Sequence, residues 1–554
     1  MKNLDKDNKV NYEVEQDQIK NDATERARQQ PLLKRIIKAL SKSDRTFREL
    51  VVDANPMESR VALLGDGVLE NFEFDRYGED DFVGAIFKGK IQNIEPGLKA
   101  MFVDIGQEKN AFLHYWDMLP VANDSSFEVV RDNRSSKSKK IELRDIPEHY
   151  PIGTDVMVQI TKGQIGTKGP RVTTNISLPG RCLVLMPFSG ECGISKKIED
   201  RKERLRLKDI LNKISIPDGM GVIIRTAGIG KKIRYFIRDL HMLLKEWQDI
   251  FEKYQSSKKQ EILYKEPSLL ERTVRDFLTD EIDRVIINDH GAYELMLGIV
   301  EQISPRSKSK FFLFEESIPI FERFNIERQI DQTFKRCVPL PCGGEIVIHE
   351  TEALTSIDVN TSNYKINGDE SKNYIFSLNC EAAKEITRQL RLRNIGGLIV
   401  VDFIDMKNKR DRVKLYDLVR GEMACDRAKN HVLQISQLGL MELSRQRHSQ
   451  SNSSELRFPC PYCNGDGFVK SSLTMCSEIY RSIVNHIKHN ANVPNMCIKT
   501  YINPEVLEQL KKKEKFLFDL EQKFSAKLSF VADTTFHVER YKIVHCEQGS
   551  SDGL

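Results

Sequence analysis

The sequence predicts a multidomain α/β protein, and three observations carry that prediction. The chain has 554 residues, enough for several domains of roughly 100–200 residues each. From about residue 46 to 178 it runs as short alternating segments broken by glycine and proline, the pattern of a small β-barrel. From 334 to 456 apolar runs of strand length lead into a long α/β region.

Composition excludes several classes. Charged residues make up 30% of the chain and mean hydropathy is negative, as in a soluble globular protein. No apolar run approaches the ~20 residues needed to span a bilayer. The N-terminus has no apolar core and mixes both charge signs, so it is no signal peptide. Eleven cysteines, scattered without a framework, fit a reducing cytoplasm. A net charge of +4 is too small to demonstrate a nucleic-acid partner.

Taken in order, residues 1–30 read as a solvated, mobile tail. "PLLKRIIKALSK" (31–42) follows, a basic amphipathic helix that suits a membrane surface, an RNA or the protein's own body. "RELVVDANPMESRVALLGDGVLENFEFD" alternates, turns at Gly65-Asp66-Gly67 and alternates again, as a hairpin does. The barrel segments span 83–118 and resume at 153–178. Between them, the polar and basic stretch 121–150 reads as an extended loop inserted into the barrel. "KKIEDRKERLRLK" (196–208) carries seven basic against three acidic residues and reads as a solvent-facing helix. Helical segments follow, including "LHMLLKEWQDIFEKY" and "LLERTVRDFLTDEIDRVII".

Four stretches carry candidate chemistry. "GGLIVVDFIDM" is a buried-strand pattern ending on Asp402, and about 40 residues earlier Ile357-Asp358-Val359-Asn360 does the same. Residues i and i+2 of a strand point the same way, so Asp358 and Asn360 aim at one point. Two carboxylates and an amide suit magnesium, which prefers oxygen ligands and keeps several waters; strand-end aspartates also cap loops. In "CPYCNGDG", Cys460 and Cys463 have the spacing of a zinc half-site. Cys476, Cys497 or His448 completes it, or a second chain supplies an identical pair. "GVIIRTAGIG" sets Arg225 and Thr226 beside Gly228 and Gly230, a guanidinium, a hydroxyl and open backbone amides that suit a phosphate or simply form a turn. Phe102 and Phe112, with Lys88, Lys90 and Lys168 near in sequence, are either barrel core or a base-stacking face.

The segments "IFKGKIQNIEPGLKAMFVDIG", "GVIIRTAGIG", "EALTSIDVNT", "EITRQLRLRNIGGLIVVDFIDM", "LGLMELSRQR" and "CPYCNGDG" together resemble the RNase E/G family of bacterial endoribonucleases, over roughly residues 46–510. The resemblance implies an N-terminal extension (1–45) and an RNase H-like domain in two parts (46–80 and 270–333). It implies an OB-fold RNA-binding barrel of S1 type (81–174), a 5′-sensor region (175–269) and a DNase I-like catalytic domain (334–456). A zinc link (457–470) and a small C-terminal domain (471–554) complete the set. It further implies that Asp358 and Asp402 hold magnesium, with Asn360 positioning the attack. Arg225, Thr226, Gly180 and Val184 would bind a 5′-monophosphate. Phe102, Phe112 and Lys168 would contact single-stranded RNA, and Lys429 stands where an arginine contacting phosphate is usual. Cys460 and Cys463 would share one zinc with the same pair of a second chain, in a homodimer or homotetramer.

The activity so implied is magnesium-dependent cleavage of single-stranded, AU-rich RNA bearing a 5′-monophosphate, giving 5′-phosphate and 3′-hydroxyl ends, in rRNA and tRNA processing and mRNA decay. The competing reading from another class is a non-catalytic RNA-binding or assembly protein with a relic site; intact Asp358, Asn360 and Asp402 argue against it. No long disordered tail follows the small domain, so the degradosome scaffold of some family members is not expected. Peripheral membrane contact through residues 32–40 is left open.

Overall fold

A computed structural model of the chain describes residues 18–28, 46–77, 82–119, 127–133, 145–164, 168–279, 281–361, 370–424, 426–446, 451–452, 456–458, 460–463, 465–489 and 496–545. The expected basic helix at 31–42 and His448 lie outside the described residues. The chain divides into two compact units, Met1–Ser453 and Ser454–Leu554.

The first sheet of the larger unit joins distant parts of the sequence. Its strand order is Phe311–Leu313, Arg284–Ile287, Arg48–Ala54, Glu58–Gly65, Val68–Arg76. Asp66 and Gly67 both have positive φ, 48° and 82°, as a two-residue hairpin requires. Leu50, Val52, Val61, Val285 and Ile287 form its core with helices Leu269–Asp276 and His290–Ile303. Residues 18–28, within the extension expected to be mobile, form a helix. Its Ala23 is buried and its Arg26 pairs with the fully buried Glu49 at 3.1 Å.

Five strands close a small barrel: Ile86–Glu95, Ala100–Asp104, Ala111–His114, Arg171–Thr173 and Asp155–Lys162, with the last pairing back to the first. Phe87, Ile91, Met101, Val103, Leu113, Val158 and Val172 fill it. The 121–150 stretch is not a plain loop. Phe127–Asp132 is a strand, and it pairs with Glu191–Ser195 of the next sheet rather than with the barrel. Phe127 is buried there, and Glu128 is held by Arg204 and Lys208 of helix Arg201–Lys213. That helix is therefore not merely solvent-facing, since Leu207 and Leu211 are buried.

The fourth sheet, from Cys337 to Gln446, has six strands in the order Cys337–Pro339, Glu345–Glu350, Leu354–Asn360, Gly397–Asp402, Leu440–Gln446, Lys429–Val432. Its one parallel pairing joins Leu354–Asn360 to Gly397–Asp402, and helix Glu370–Leu392 lies between them in sequence. A parallel neighbour needs such a crossover, and its consequence is that both strands finish on the same edge of the sheet. Ile346, Ile357, Ile399, Val401, Leu378 and Leu415 pack beneath them.

The smaller unit has a three-stranded sheet with Cys497–Ile502 in the centre, beside helix Ser472–His489 and two shorter helices. Met475, Ile479, Ile483, Ile498 and Val506 form its core.

Candidate active site

Asp358 and Asp402 are register partners on the parallel strands, both exposed at the carboxyl ends. This is the edge where open α/β sheets place ligands. Asn360 Nδ2 donates to Asp358 Oδ2 at 2.9 Å, fixing that carboxylate. Partial burial, then the nearby Asp358 and Asp405, push the Asp402 carboxyl above its ordinary range. Like charges held this close favour a bound cation or a proton. The turn after Asp402 is clamped by Asn379, which is fully buried on helix Glu370–Leu392. Its Nδ2 donates to the Ile404 carbonyl at 2.8 Å and its Oδ1 accepts the Ile404 N–H at 3.2 Å. The sequence signal for Asn379 was a lone amide among the apolar positions of "SLNCEAA".

Arg225 follows strand Gly221–Ile224, and its N–H donates to the Cys182 carbonyl. Its guanidinium donates to the Gly180 carbonyl at 2.5 Å and lies 2.8 Å from Asp276 Oδ1. That ion pair is close without being a directed hydrogen bond, since Asp276 Oδ1 takes none. Thr226 opens an exposed turn and Val184 is the register partner of Ile223, so the pocket residues named from the sequence lie on adjoining strands and turns. Gly180 has no room for a side chain: a Cβ would sit 2.8 Å from both Asp239 carboxylate oxygens. Those oxygens accept the N–H groups of Arg181, Cys182 and Leu183, shaping the loop.

Sequence reasoning missed Arg275, Asp276 and Arg427 here. Burial alone would raise the Asp276 carboxyl, but Arg225, Arg275 and Arg427 outweigh it and hold it below the ordinary carboxylate range. Arg427 stacks 3.7 Å over the Phe277 ring and donates to the Asp276 carbonyl. Lys429 is exposed at the start of an edge strand, two residues after Arg427. Lys197 ties the same turn down, donating to the carbonyls of Asp426, Arg427 and Ala428.

On the barrel, Phe102 and Phe112 are register partners with ring centroids 5.9 Å apart, and both are half-buried on the surface rather than in the core. Lys168 is exposed close by: Gly169 runs so near Asn110 that a Cβ would meet its carbonyl at 2.1 Å. Lys88 points elsewhere, donating to the Tyr254 and Ser257 carbonyls.

Cys460 and Cys463 flank a tight turn in which the Gly467 N–H donates to Cys463 Sγ at 3.3 Å. Gly465 and Gly467 both have positive φ, 92° and 74°, which only glycine adopts readily. Backbone N–H groups of Cys463 and Tyr462 lower the Cys460 thiol below its ordinary value, which suits a metal-binding thiolate. Cys476 is buried in the small core with its Sγ on the Val506 carbonyl. Among the described residues no group of three or more His, Cys, Asp or Glu gathers to hold a metal.

A closed barrel with surface aromatics, joined in one chain to a sheet that ends two parallel strands on aspartates, defines a multidomain α/β protein. The sequence model of the Ribonuclease E/G family matches residues 177–448. Ribonuclease G of Escherichia coli (strain K12) is 36% identical over 497 residues, 90% of this chain and 99% of the relative. Ribonuclease G of Haemophilus influenzae is 33% identical over 90% of this chain and 99% of the relative. Ribonuclease E of Escherichia coli (strain K12) is 37% identical over 79% of this chain but only 40% of its own length. The chain belongs to the ribonuclease E/G family.

Proposed function

We propose that the protein is an endoribonuclease of RNA processing that hydrolyses single-stranded, AU-rich RNA at the Asp358–Asp402 edge, with magnesium, leaving 5′-phosphate and 3′-hydroxyl ends. The observation that carries this reading is the register of the two aspartates on parallel strand ends, with Asn360 bonded to one of them. The donor set fits a hard divalent cation: two carboxylates and no soft ligand, on an exposed edge with space for waters. Held by Asp358 and Asp402, magnesium would supply a bound water of lowered pKa and neutralise charge gathering on the phosphate. Asn360 holds the Asp358 carboxylate in one orientation, and Asn379 fixes the turn that follows Asp402. Phe102 and Phe112 stack bases and Lys168 holds backbone phosphate. Arg225 and Thr226 grip a 5′-monophosphate, which gives the enzyme a preference for that end. Transfer RNA, ribosomal RNA and messenger RNA precursors are the substrates this role implies.

The same reading takes the sheet of residues 48–76 and 284–313 as the RNase H-like domain, the barrel as an S1-type OB fold and residues 337–446 as the DNase I-like catalytic domain. Cys460 and Cys463 bind half of a zinc site whose other half is the same pair of a second chain. One gel assay tests the core of it, using a 5′-monophosphorylated AU-rich oligomer with magnesium or EDTA. Internal cleavage with magnesium alone, slower for a 5′-hydroxyl oligomer, is the expected outcome. Equal cleavage in EDTA, or none with magnesium, refutes it.

A further inference from the structure

We propose that Trp116, together with His114, extends the base-stacking face of the barrel by at least one nucleotide beyond Phe102 and Phe112. The proposal rests on the reading of that face as the seat of single-stranded RNA.

Strand Ala111–His114 alternates: Ala111 and Leu113 are buried, while Phe112 and His114 stand half-exposed on the other face. The rings form a row, with centroids 5.9 Å apart for Phe102 and Phe112 and 6.4 Å for Phe112 and His114. The strand ends at His114 and the chain enters a 3-10 turn, Tyr115–Asp117. Tyr115 dives into the barrel core, whereas the Trp116 side of the turn stays in solvent at 61% exposure. The turn is pinned. The Trp116 N–H donates to His114 Nδ1 at 3.2 Å, and the Tyr115 N–H donates to the Lys99 carbonyl at 2.9 Å.

A single exposed apolar residue needs no explanation; here the residue follows His114 by two positions, and its backbone N–H is bonded to the His114 ring that ends the row. The setting is also that of a nucleic-acid track. Lys99 and Leu98 are exposed at the Trp116 end. Lys168 lies at the opposite end, where the Phe112 N–H donates to the Pro170 carbonyl. A cation at each end and aromatic rings between them match the way sequence-tolerant single-strand binders hold phosphates and stack bases. Every base has a π-face, so this extension lengthens the bound segment without selecting its sequence.

The chain has two tryptophans, and Trp247 is only 6% exposed. A Trp247→Phe variant therefore leaves Trp116 as the sole indole emitter. It is titrated with a 5′-hydroxyl oligouridylate in magnesium-free buffer without chelator, so that neither cleavage nor end-gripping contributes and the proposed zinc is not stripped. Trp116 emission should be quenched and should saturate at the same RNA concentration as the anisotropy of a labelled oligomer. In the otherwise unaltered chain, Trp116→Ala should raise Kd on the order of 5- to 150-fold, and Trp116→Phe should raise it less. If Trp116→Ala binds like wild type while Phe112→Ala binds weakly, Trp116 lies off the track and the proposal fails alone. If Phe112→Ala also binds like wild type, the reading of the whole face fails with it.

Discussion

At the scale of single residues, the two sites ask for different kinds of evidence. Partial burial, with Asp358 and Asp405 nearby, raises the cost of charging Asp402, an arrangement that stabilises the fold poorly and suits a bound cation. If Asp402 holds magnesium as proposed, Asp402→Asn removes one ligand while keeping shape. It should slow cleavage roughly a thousandfold, about 4 kcal/mol of transition-state stabilisation, with RNA affinity in EDTA unchanged. Near wild-type turnover in that variant would dispose of the assignment. Arg225 needs a comparison of substrates. A charge-assisted hydrogen bond contributes on the order of 1.5–3 kcal/mol, so Arg225→Gln should lower kcat/KM about 10- to 150-fold for a 5′-monophosphorylated oligomer. Cleavage of the 5′-hydroxyl oligomer, which lacks the gripped group, should hardly change. Equal slowing of both would mean that Arg225 serves the fold, consistent with its bond to the Gly180 carbonyl, or touches the RNA body.

Among elements, what could be read from sequence depended on how local the determining contacts are. The Asp402 strand was legible because "LIVV" is an apolar run rich in β-branched residues that ends on a charge, but it is not buried throughout: Ile399 and Val401 face the core while Leu398 is 46% exposed. The hairpin at Asp66-Gly67 was legible because that turn needs positive φ. Strand Phe127–Asp132 was not, since its partner Glu191–Ser195 lies about sixty residues on and its flanks are polar. Asp276 and Arg427 escaped for the same reason: 151 residues separate them, and only packing brings them together. The helix at 18–28 was hidden by its charge; it is held by Ile19 and Ala23 against the Gly67 turn and by Arg26, which pairs with Glu49 and lies 4.8 Å over the Phe324 ring. That pair is testable. Glu49 is wholly buried and Arg26 nearly so, at 0% and 14% exposure, and burial pushes the Glu49 carboxyl up despite Arg26. Removing one partner of a buried pair costs about 3–5 kcal/mol, and Arg284 at 3.8 Å softens the loss. Arg26→Met should thus lower the unfolding free energy measured in urea by an amount near the bottom of that range, and adding Glu49→Leu should recover most of it. No change in the single variant would mean the helix does not anchor through Arg26.

For the whole molecule, the open quantity is the number of chains, and the cysteines make it measurable. The ribonuclease G relatives are matched over 99% of their length, whereas the Escherichia coli ribonuclease E is matched over 40%. Zinc in a structural site takes four ligands. Within the described residues each chain offers two thiols at the Cys460–Cys463 turn, and Cys476 is committed to the small-domain core. A site closed by two chains requires about half a zinc per protomer. Because ligation there would join chains, metal loss and dissociation should coincide: Cys460→Ser, or chelation of the wild type, should release zinc and shift sedimentation to smaller species. Helical content of the separated chains should persist, since the core of Met475, Ile479, Ile498 and Val506 does not use the metal. One full zinc per protomer, with unaltered mass in Cys460→Ser, would place the remaining ligands within the chain. Cys497 and His448 would then be the residues to replace next.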